Sequence, residues 1–328
     1  MSGMLSYLVF FLIQALIFAV VCLGLNLQWG YTGLFNIGVS GFFLVGAYAF
    51  AIVCGPPSAS HMGGWGASSA LGLAASVAAS AIVAFIVGIP TLRLREDYLA
   101  IVTIGFASIL QLVALNAQEL TGGSRGLSGI PRLLAGEFDT VFERNLPMLV
   151  VMIVVVAVLY AGLEAMVRSP WGRVLKAIRE DEQAAGSLGK DPFAFRLQSF
   201  VIGSAIMGLG GALYASFIGF VSPEDFMPIL TFQVWTMLVV GGSGNNKGAV
   251  LGALVMWAVW TLSGTAAQAL LPPDLQVKGG AGQIVLIGVA LMAMLLFRPR
   301  GLIGEEAAVS RGAHLEVTPE QAVHADKP

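Results

Sequence analysis

The stretch that decides the fold is Met4–Leu25, which reads MLSYLVFFLIQALIFAVVCLGL, with Gln14 as its main polar residue. About 20 consecutive apolar residues cross a bilayer as one helix. The absence of charge continues beyond it, because no Asp, Glu, Lys or Arg occurs before Arg93. No basic segment precedes the stretch and no small-residue cleavage pattern follows it, so we expect a retained first span rather than a signal peptide.

The composition of the whole chain agrees with this start. Of its 328 residues, 57% are hydrophobic and 11% are charged, whereas soluble domains are about 25% charged. This excludes a cytosolic enzyme, a disordered chain and a disulfide scaffold, and the long continuous apolar runs exclude a porin-type barrel. Cys22 and Cys54 are expected to be small buried hydrophobes. The three histidines, His61, His314 and His324, are too scattered for a metal cluster.

The remaining apolar segments predict an all-α polytopic membrane protein with eight to nine transmembrane segments. After the first span they are Gly33–Val53, Ala67–Ile89, Tyr98–Ala117, Leu146–Val167, Leu197–Phe220, Thr231–Val240, Val250–Ser263 and Ala281–Phe297. The count depends on how the short Thr231–Val240 piece is treated. We predict one transmembrane domain over residues 1–301 and a flexible cytoplasmic tail over residues 302–328.

Basic residues set the predicted orientation. The loop Arg168–Arg196 contains six of the 17 Lys and Arg residues, and we place it in the cytoplasm with the carboxyl-terminal tail. Counting spans backwards puts Arg93 and Arg95 inside and Glu119–Asn145 outside. The chain must then enter and return between Ser222–Pro228 and the last span, which favours a re-entrant hairpin.

Two interrupted segments in separate parts of the chain point to a transport pathway. Glycines and small polar residues break the apolar pattern in both, and the alternative is that these glycines only let helices pack. The predicted pathway residues are Asn26, Gly30, Thr32, Gly33, Asn36, Gly38, Ser40, Gly241, Gly242 and Gly244. The amides of Asn26, Gln111 and Asn116 are expected to bond neighbouring helices, with solute contact as the alternative. No span centre carries a charge, which suits a neutral or zwitterionic solute.

Two short helices are predicted in the cytoplasmic loop. Ser169-Pro170 is a helix start, and Trp171, Val174, Leu175 and Ile178 then form one apolar stripe. A second short helix is expected to end at Gly189 before Pro192. The small residues Ala184 and Ala185 would let another protein approach closely, and the alternative is a helix lying on anionic lipid. At the start of the loop, Glu164 and Arg168 are expected to pair at the interface.

Several strings in order along the chain resemble permease subunits of branched-chain amino acid ABC importers, the LivM type. Ala184-Ala185-x-x-x-Gly189 is similar to the EAA loop of importer permeases, with Gln183 at the usual Glu position, and the string Ser169–Glu182 resembles the same family. Leu92–Thr103, Leu120–Pro131, Leu25–Gly33 and Gly241-Gly242 agree with it as well. The resemblance covers residues 25 to 301. One departure is Ser243–Lys247, where the family more often has an apolar Gly-x-x-Gly run.

The resemblance implies a subunit that works with partners in a bacterial inner membrane. These are a homologous second permease, two cytoplasmic ATPases that hold ATP and Mg, and a periplasmic solute-binding protein. The chain itself has no Gly-x-x-x-x-Gly-Lys-Ser/Thr loop, so it is expected to be a transport subunit without cofactor or metal and not an enzyme.

The implied ATPase-coupling residues are Trp171, Gly172, Arg173, Arg179, Glu180, Asp181, Glu182, Ala184, Ala185 and Gly189. The implied binding-protein contacts are Thr121, Gly122, Gly123, Arg125, Gly126 and Gly129, with an ordinary connecting loop as the alternative. Arg132 could pair with acids on the same partner.

Three other functions remain open at this level. The same type of permease could move urea, short amides or another small solute. A secondary transporter would need no ATPase, and the loop Arg173–Gly189 speaks against it. A membrane-embedded enzyme would need paired acids or a histidine cluster in the spans, and the sequence offers neither.

Overall fold

The computed structural model describes residues 2–57, 63–94, 96–134, 141–270, 279–298 and 301–305, and it is mostly helical. Six helices in these ranges are long and apolar enough to cross a membrane, and Val39–Cys54 and Pro228–Gly241 are shorter apolar helices. The protein is therefore a multi-pass membrane protein, as its composition predicts. The predicted tail beyond residue 305, along with His61, His314, His324, Arg95 and Arg300, lies outside the described residues.

Helices and two very short strands follow one another in this order. The helices are α1 Ser2–Leu25, which continues as a wider π-helical turn Asn26–Tyr31, α2 Val39–Cys54, α3 Ser69–Thr91, α4 Glu96–Asn116, α5 Gln118–Thr121, α6 Val141–Arg168, α7 Pro170–Glu180, α8 Glu182–Ser187, α9 Pro192–Ile218, α10 Pro228–Gly241, α11 Asn246–Leu270 and α12 Gly279–Phe297. The strands are β1 Leu127–Ser128 and β2 Phe220–Val221, and 3-10 turns cover Gly123–Arg125 and Pro223–Phe226.

Helices α1, α2, α3 and α9 form the centre of the molecule. Lipid is as apolar as a leucine side chain, so close packing rather than water exclusion must hold such helices together. Gly46 of α2 lies against Gly208 of α9, and a Cβ at either position would collide with its neighbours. Ser76 of α3 donates to the carbonyl of Gly46 at 2.8 Å. The Gly- and Ser-rich sequence of these spans therefore serves backbone contact.

The two ends of the helix bundle differ in chemistry. At the end that we call the ribbon end, β1 pairs antiparallel with β2, so the loops 118–134 and 219–227 lie together. At the opposite end, which we call the elbow end, lies the segment Arg168–Arg196. Arg93 also lies there, with its guanidinium 5.5 Å from the centre of the Phe193 ring. The charge pattern predicts this grouping of Arg93 with the basic loop.

Helix α1 runs from the ribbon end to the elbow end. Phe10 stacks on Phe217, near the end of α9 that leads into β2, with ring centroids 5.1 Å apart. At the other terminus, Lys176 of α7 lies 5.5 Å from the Tyr31 ring. The amino terminus is therefore at the same end as the loop 118–134.

Two predicted segments differ from the structure. Helix α2 begins at Val39, not at Gly33, because residues 32–38 form an irregular loop. Helix α11 starts at Asn246 and is long enough to span, whereas the sequence suggested a short second arm from Val250. The cause is local: the Asn245 side chain accepts from the Lys247 amide at 3.0 Å, which supports a helix start before the apolar run. The turn Gly242–Asn245 thus lies at the elbow end and not midway along the bundle.

Candidate functional site

The two interrupted segments meet in space through asparagine side chains. Asn26 donates to Asn246 Oδ1 at 3.0 Å and accepts from the Gly244 amide at 2.9 Å. Asn246 in turn donates to Glu164 Oε2 at 3.0 Å, which adds α6 to the same network. All of these groups except Glu164 are buried. We call this network, together with Gln28, Thr32 and Asn36, the polar seam.

Gly30 permits the closest approach in the polar seam. A Cβ at this position would collide with Asn26 Oδ1 and with the backbone nitrogen of Gly244. The carbonyl of Gly30 accepts a hydrogen bond from Arg179 Nη1 of α7. The polar seam therefore requires glycine at position 30. Through the Gly30 carbonyl, the seam is in direct contact with α7 at the elbow end.

Gln28 anchors the loop 32–38 from the end of the first span. Its amide donates to the Phe200 carbonyl at 2.8 Å and to Ser204 Oγ at 3.0 Å, while its Oε1 accepts from Asn36 Nδ2 at 2.8 Å. Asn36 Oδ1 then accepts from the Gly38 amide at 2.8 Å. Gln28 was not among the predicted site residues, although it lies between Asn26 and Gly30, because a glutamine flanked by Leu27 and Trp29 has no distinguishing pattern of its own.

Side chains from three other helices provide hydrogen-bond partners for the rest of the loop 32–38 and for the start of α2. Backbone groups outside a helix must find partners when lipid surrounds the protein. Thr32 Oγ1 lies 2.6 Å from Ser199 Oγ, and the Ile37 amide donates to Thr103 Oγ1 at 3.0 Å. The Ser40 amide donates to Thr231 Oγ1 at 3.0 Å. These hydroxyl partners were also missed, since serine and threonine are common in spans and no local pattern marks Ser199, Thr103 or Thr231.

An aromatic group covers the loop from the side of α10. Trp235 donates through its indole nitrogen to the Asn36 carbonyl at 3.0 Å. Its ring lies 5.3 Å from that of Trp29 and 4.9 Å from that of Phe35, both in edge-on arrangements. The loop is thus held on every described side by hydrogen bonds and rings, which gives it one defined shape.

The structure brings the predicted pathway residues together but leaves most of them inaccessible within the single chain. Only Gly33 among them is partly exposed, and its φ of +76° requires glycine. Of the two amides outside the seam, Gln111 bonds another segment as expected, donating to the Pro223 carbonyl at 3.1 Å. Asn116 instead donates within its own helix, to the Leu112 carbonyl at 2.7 Å. The role of the predicted pathway residues in conduction stays a prediction.

The elbow, residues 168–196, contains the two short helices predicted from sequence, α7 and α8. Leu175 and Ile178 are buried, as the apolar stripe predicts. Ser169 stands at the cap position, but its hydroxyl donates to the Met166 carbonyl at 2.6 Å and does not cap α7. Asp181 instead caps α8 by accepting from the Ala184 amide at 2.9 Å. The Arg168–Glu164 ion pair is confirmed at 2.7 Å.

The predicted small-residue patch is divided by the fold. Ala184 is exposed, but Ala185 is only 4% exposed and packs inside the chain. Leu188 is 81% exposed and lies beside Ala184 on the outer surface. Gly189 has a φ of +77°, a backbone conformation that favours glycine. The helix end alone therefore explains this glycine, with no need for contact with another protein. Ala184, Leu188 and Gly189 therefore lie on the outer surface of the elbow, whereas Ala185 does not.

The remaining predicted coupling residues divide in the same way. Trp171 is partly buried and donates to Gln198 Oε1 at 2.8 Å, and Gly172 is buried against the backbone of Val167. Glu182 forms an ion pair with Arg196 at 2.9 Å. The side chains left on the surface are Arg173, Glu180, Asp181 and Glu182.

A short tail segment ties the elbow to the turn between α10 and α11. Glu305 accepts from Arg179 Nη2 at 2.9 and 3.1 Å and lies 3.5 Å from Lys176. The amides of Leu302 and Ile303 donate to the carbonyls of Val240 and Gly241 at 2.8 and 3.0 Å. Sequence reasoning missed this contact and treated the chain after Gly301 as a flexible tail. The described part, residues 301–305, is instead a bound strap.

Glycines shape the ribbon end. Gly122, Gly123, Gly126 and Gly129 all have positive φ between 59° and 74°, so this loop consists of tight turns. Thr121 is buried and donates to the Ala114 and Ala117 carbonyls at 2.5 and 2.8 Å. Arg125 is exposed.

Two other charges at the ribbon end are engaged within the chain. Arg132 donates to Asn145 at 2.9 Å, and burial followed by the charge of Arg144 lowers its pKa. Burial also raises the pKa of Asp225, against the opposing effect of the Ser222 amide, which donates to it at 3.0 Å. Arg125 is therefore better placed than Arg132 to meet a partner. No group of His, Cys, Asp and Glu in the described part of the chain could hold a metal ion.

The chain is similar to known transport proteins over nearly its whole length. The family model described as "Branched-chain amino acid transport system / permease component" matches residues 7–297. The high-affinity branched-chain amino acid transport system permease protein LivM of Salmonella typhimurium is 33% identical over 311 residues, covering 88% of this chain and 68% of the relative. A probable LivM of Methanocaldococcus jannaschii is 28% identical, covering 90% and 92%. LivH of Escherichia coli is 27% identical, covering 88% and 91%. No solved structure matches the chain.

Proposed function

The chain belongs to the branched-chain amino acid transport permease family, and from that premise we propose that it is the transmembrane permease subunit of an ATP-driven ABC importer. The solute on this proposal is a branched-chain or related amino acid. The observation that carries the proposal is the family match over residues 7–297. The absence of charge from the polar seam, apart from Glu164 at its edge, agrees with a zwitterionic solute.

The elbow is the proposed docking site for the ATPases, equivalent to the EAA loop of other importers. Its exposed face combines the apolar Leu188 with the small Ala184 and the charged rim Arg173, Glu180, Asp181 and Glu182. An apolar contact surrounded by charges is a common design for a protein interface. The alternative, in which the elbow lies on anionic lipid, would bring the exposed acids Glu180, Asp181 and Glu182 close to head groups of the same charge.

Movement of the elbow would reach the broken helices through Arg179. This side chain contacts Gly30 of the polar seam and Glu305 of the strap at once. A rigid-body shift of α7 would therefore displace the end of α1 and the α10–α11 turn together. We propose that this shift opens the pathway to one side and then to the other.

The proposed assembly follows from the family. This chain, with eight to nine crossings in one domain over residues 1–301, pairs with a homologous permease in a bacterial inner membrane. Two ATPase subunits supply ATP hydrolysis, so this chain needs no cofactor or metal. A periplasmic solute-binding protein docks at the ribbon end, where Arg125 and Gly129 are exposed. The existence of both LivM-like and LivH-like relatives supports a heterodimer.

Reconstitution tests this function directly. The permease pair, the ATPases and the binding protein, identified from neighbouring genes, are placed in proteoliposomes and leucine uptake is measured. We expect uptake only with ATP and the ATPases present. Uptake that persists without them would identify a secondary transporter instead. Uptake driven by ATP but selective for urea or a short amide would keep the mechanism and change the solute.

A further inference from the structure

A cleft at the elbow end is lined by more basic than acidic side chains. It lies between α6, α7 and α11 and has a volume of about 400 Å³. Its charged lining residues are Glu164, Arg168, Arg173, Lys176, Lys247 and Glu305. Four basic and two acidic groups leave an excess of two positive charges.

Two of these basic side chains are unpaired in the described part of the chain. Arg168 pairs with Glu164, and Lys176 approaches Glu305. Arg173 and Lys247 are exposed and form none of the ion pairs among the described residues. They belong to different helices, α7 and α11, and both line the cleft, so an anion bound there would face basic groups from two helices.

An apolar groove begins where the cleft ends. It has a volume of about 440 Å³ and shares Lys247 with the cleft. Most of its lining is aliphatic and includes Leu16, Val156, Ala157, Leu251 and Leu254. From Lys247 to Leu254 the helix rises about 10 Å, at 1.5 Å per residue. The groove therefore runs from the charged end along the side of α6 and α11, at the depth of a lipid acyl chain.

We propose that the cleft and the groove together form a binding site for an anionic phospholipid. The phosphate would lie between Arg173 and Lys247, and one acyl chain would lie along Ala157 and Leu251. Basic pockets between spans at the cytoplasmic face suit anionic head groups. A free anion would use only the cleft, and a purely apolar ligand would use only the groove. Because the cleft and the groove meet at Lys247, the combined site favours a molecule that has both an anionic head group and an apolar chain. The site depends on the chain lying in a membrane, and not on which solute it moves.

Occupancy would affect the elbow, because the same cleft includes Lys176 and Glu305. An anion placed there would compete with Glu305 for Lys176 while leaving the Arg179 pair intact. Because Arg173 belongs to α7 and Lys247 to α11, a phosphate bound to both would also link these two helices.

Native mass spectrometry of the delipidated full chain, with the subunits that copurify, tests the site. Phosphatidylglycerol, phosphatidylcholine with the same acyl chains and soluble glycerophosphate are titrated separately. We expect phosphatidylglycerol to bind at least about tenfold more tightly than phosphatidylcholine, since each basic contact contributes about 1 kcal/mol. Equal binding of both lipids would overturn the proposal, and so would glycerophosphate binding as tightly as phosphatidylglycerol, which would indicate a free-anion site.

Two variants with matched controls separate the head-group and acyl-chain contacts. Arg173→Gln with Lys247→Gln should reduce phosphatidylglycerol affinity about tenfold, whereas Lys190→Gln, an exposed charge of the same loop outside the cleft, should leave it unchanged. Ala157→Trp should fill the groove and reduce affinity without changing charge. Val158→Trp, on the 64% exposed neighbour that points away from the groove, is its control. All of these positions are exposed, so the variants should fold, and unchanged affinity in both test variants would contradict the site.

Discussion

The elbow end and the ribbon end are held together by different interactions. At the elbow end, side-chain charges and the strap 301–305 join α7 to the α10–α11 turn and to Gly30. At the ribbon end, the loops are joined by glycine turns and by the short ladder between β1 and β2, which pairs two residues of each strand. The Arg125 side chain is exposed there. The difference is that side chains of the elbow contact the polar seam and the strap directly, which agrees with the proposal that the elbow moves them.

The largest expected effect is at Gly30, where the two broken segments touch. Gly30→Ala introduces a methyl group into the contact between Asn26 and the Gly244 backbone, and neither can move without breaking a hydrogen bond. We expect a loss of about 3 kcal/mol in the free energy of unfolding, together with loss of uptake. Gly162→Ala is the control, because a Cβ there meets nothing within 4 Å. Equal stability of the two variants would show that the seam is loosely packed.

The next effect separates two adjacent alanines of the elbow. Ala185→Glu places a carboxylate in the interior and should destabilise the chain itself by about 2 kcal/mol. Ala184→Glu changes the exposed neighbour and should leave stability unchanged while the ATPases no longer copurify. Thermal unfolding and co-purification are measured for both variants. If Ala184→Glu retained the ATPases, the proposed docking face would be wrong.

A smaller effect is expected for the asparagine pair of the seam. Asn26→Leu leaves the Gly244 amide and one Asn246 group without their partner, which should cost about 1–2 kcal/mol. Asn246→Leu removes the opposite side of the same bond. A double-mutant cycle on unfolding should therefore give a coupling energy of about 1 kcal/mol. Strictly additive losses would mean that the two side chains do not interact in the membrane.

The smallest effect lies at the ribbon end and depends on pH. Burial raises the pKa of Asp225 in the folded protein, so ionisation there opposes folding. Stability is therefore greatest below the unfolded pKa of about 3.9 and falls as the pH rises through the folded value. Asp225→Asn keeps an acceptor for the Ser222 amide and should reduce the difference in Tm between pH 4 and pH 7. An unchanged difference would assign that pH dependence to other groups.

Much of the architecture was predictable because apolar runs and local spacing are sequence properties. Met4–Leu25, the apolar stripe of α7, the end of α8 near Gly189 and the Glu164–Arg168 pair each depend on residues within a few turns of one another. The shared composition of the two interrupted segments predicts a transport pathway, and the structure adds that the segments touch through Asn26 and Gly244.

The remainder depends on contacts that are distant in sequence. Glu305 pairs with Arg179 across 126 positions, and no local pattern marks that acid among those of the tail. The roles of Gln28 and Thr103 become visible only when the fold brings Asn36 and Ile37 of the loop 32–38 to them. Ala184 and Ala185 are identical in type, and only the packing of α8 decides which one is buried.

The contact between Arg179, Gly30 and Glu305 is the central element of this account, and the ratio of leucine imported to ATP hydrolysed tests it. Arg179→Gln and Glu305→Gln are compared in proteoliposomes with Lys190→Gln, an exposed charge of the elbow outside the proposed docking face, as control. We predict that each of the two variants retains its ATPases and hydrolyses ATP but imports several-fold less leucine per ATP, and that the double variant is no worse than either alone. An unchanged ratio in Arg179→Gln would contradict the proposal that the elbow drives the seam through this contact.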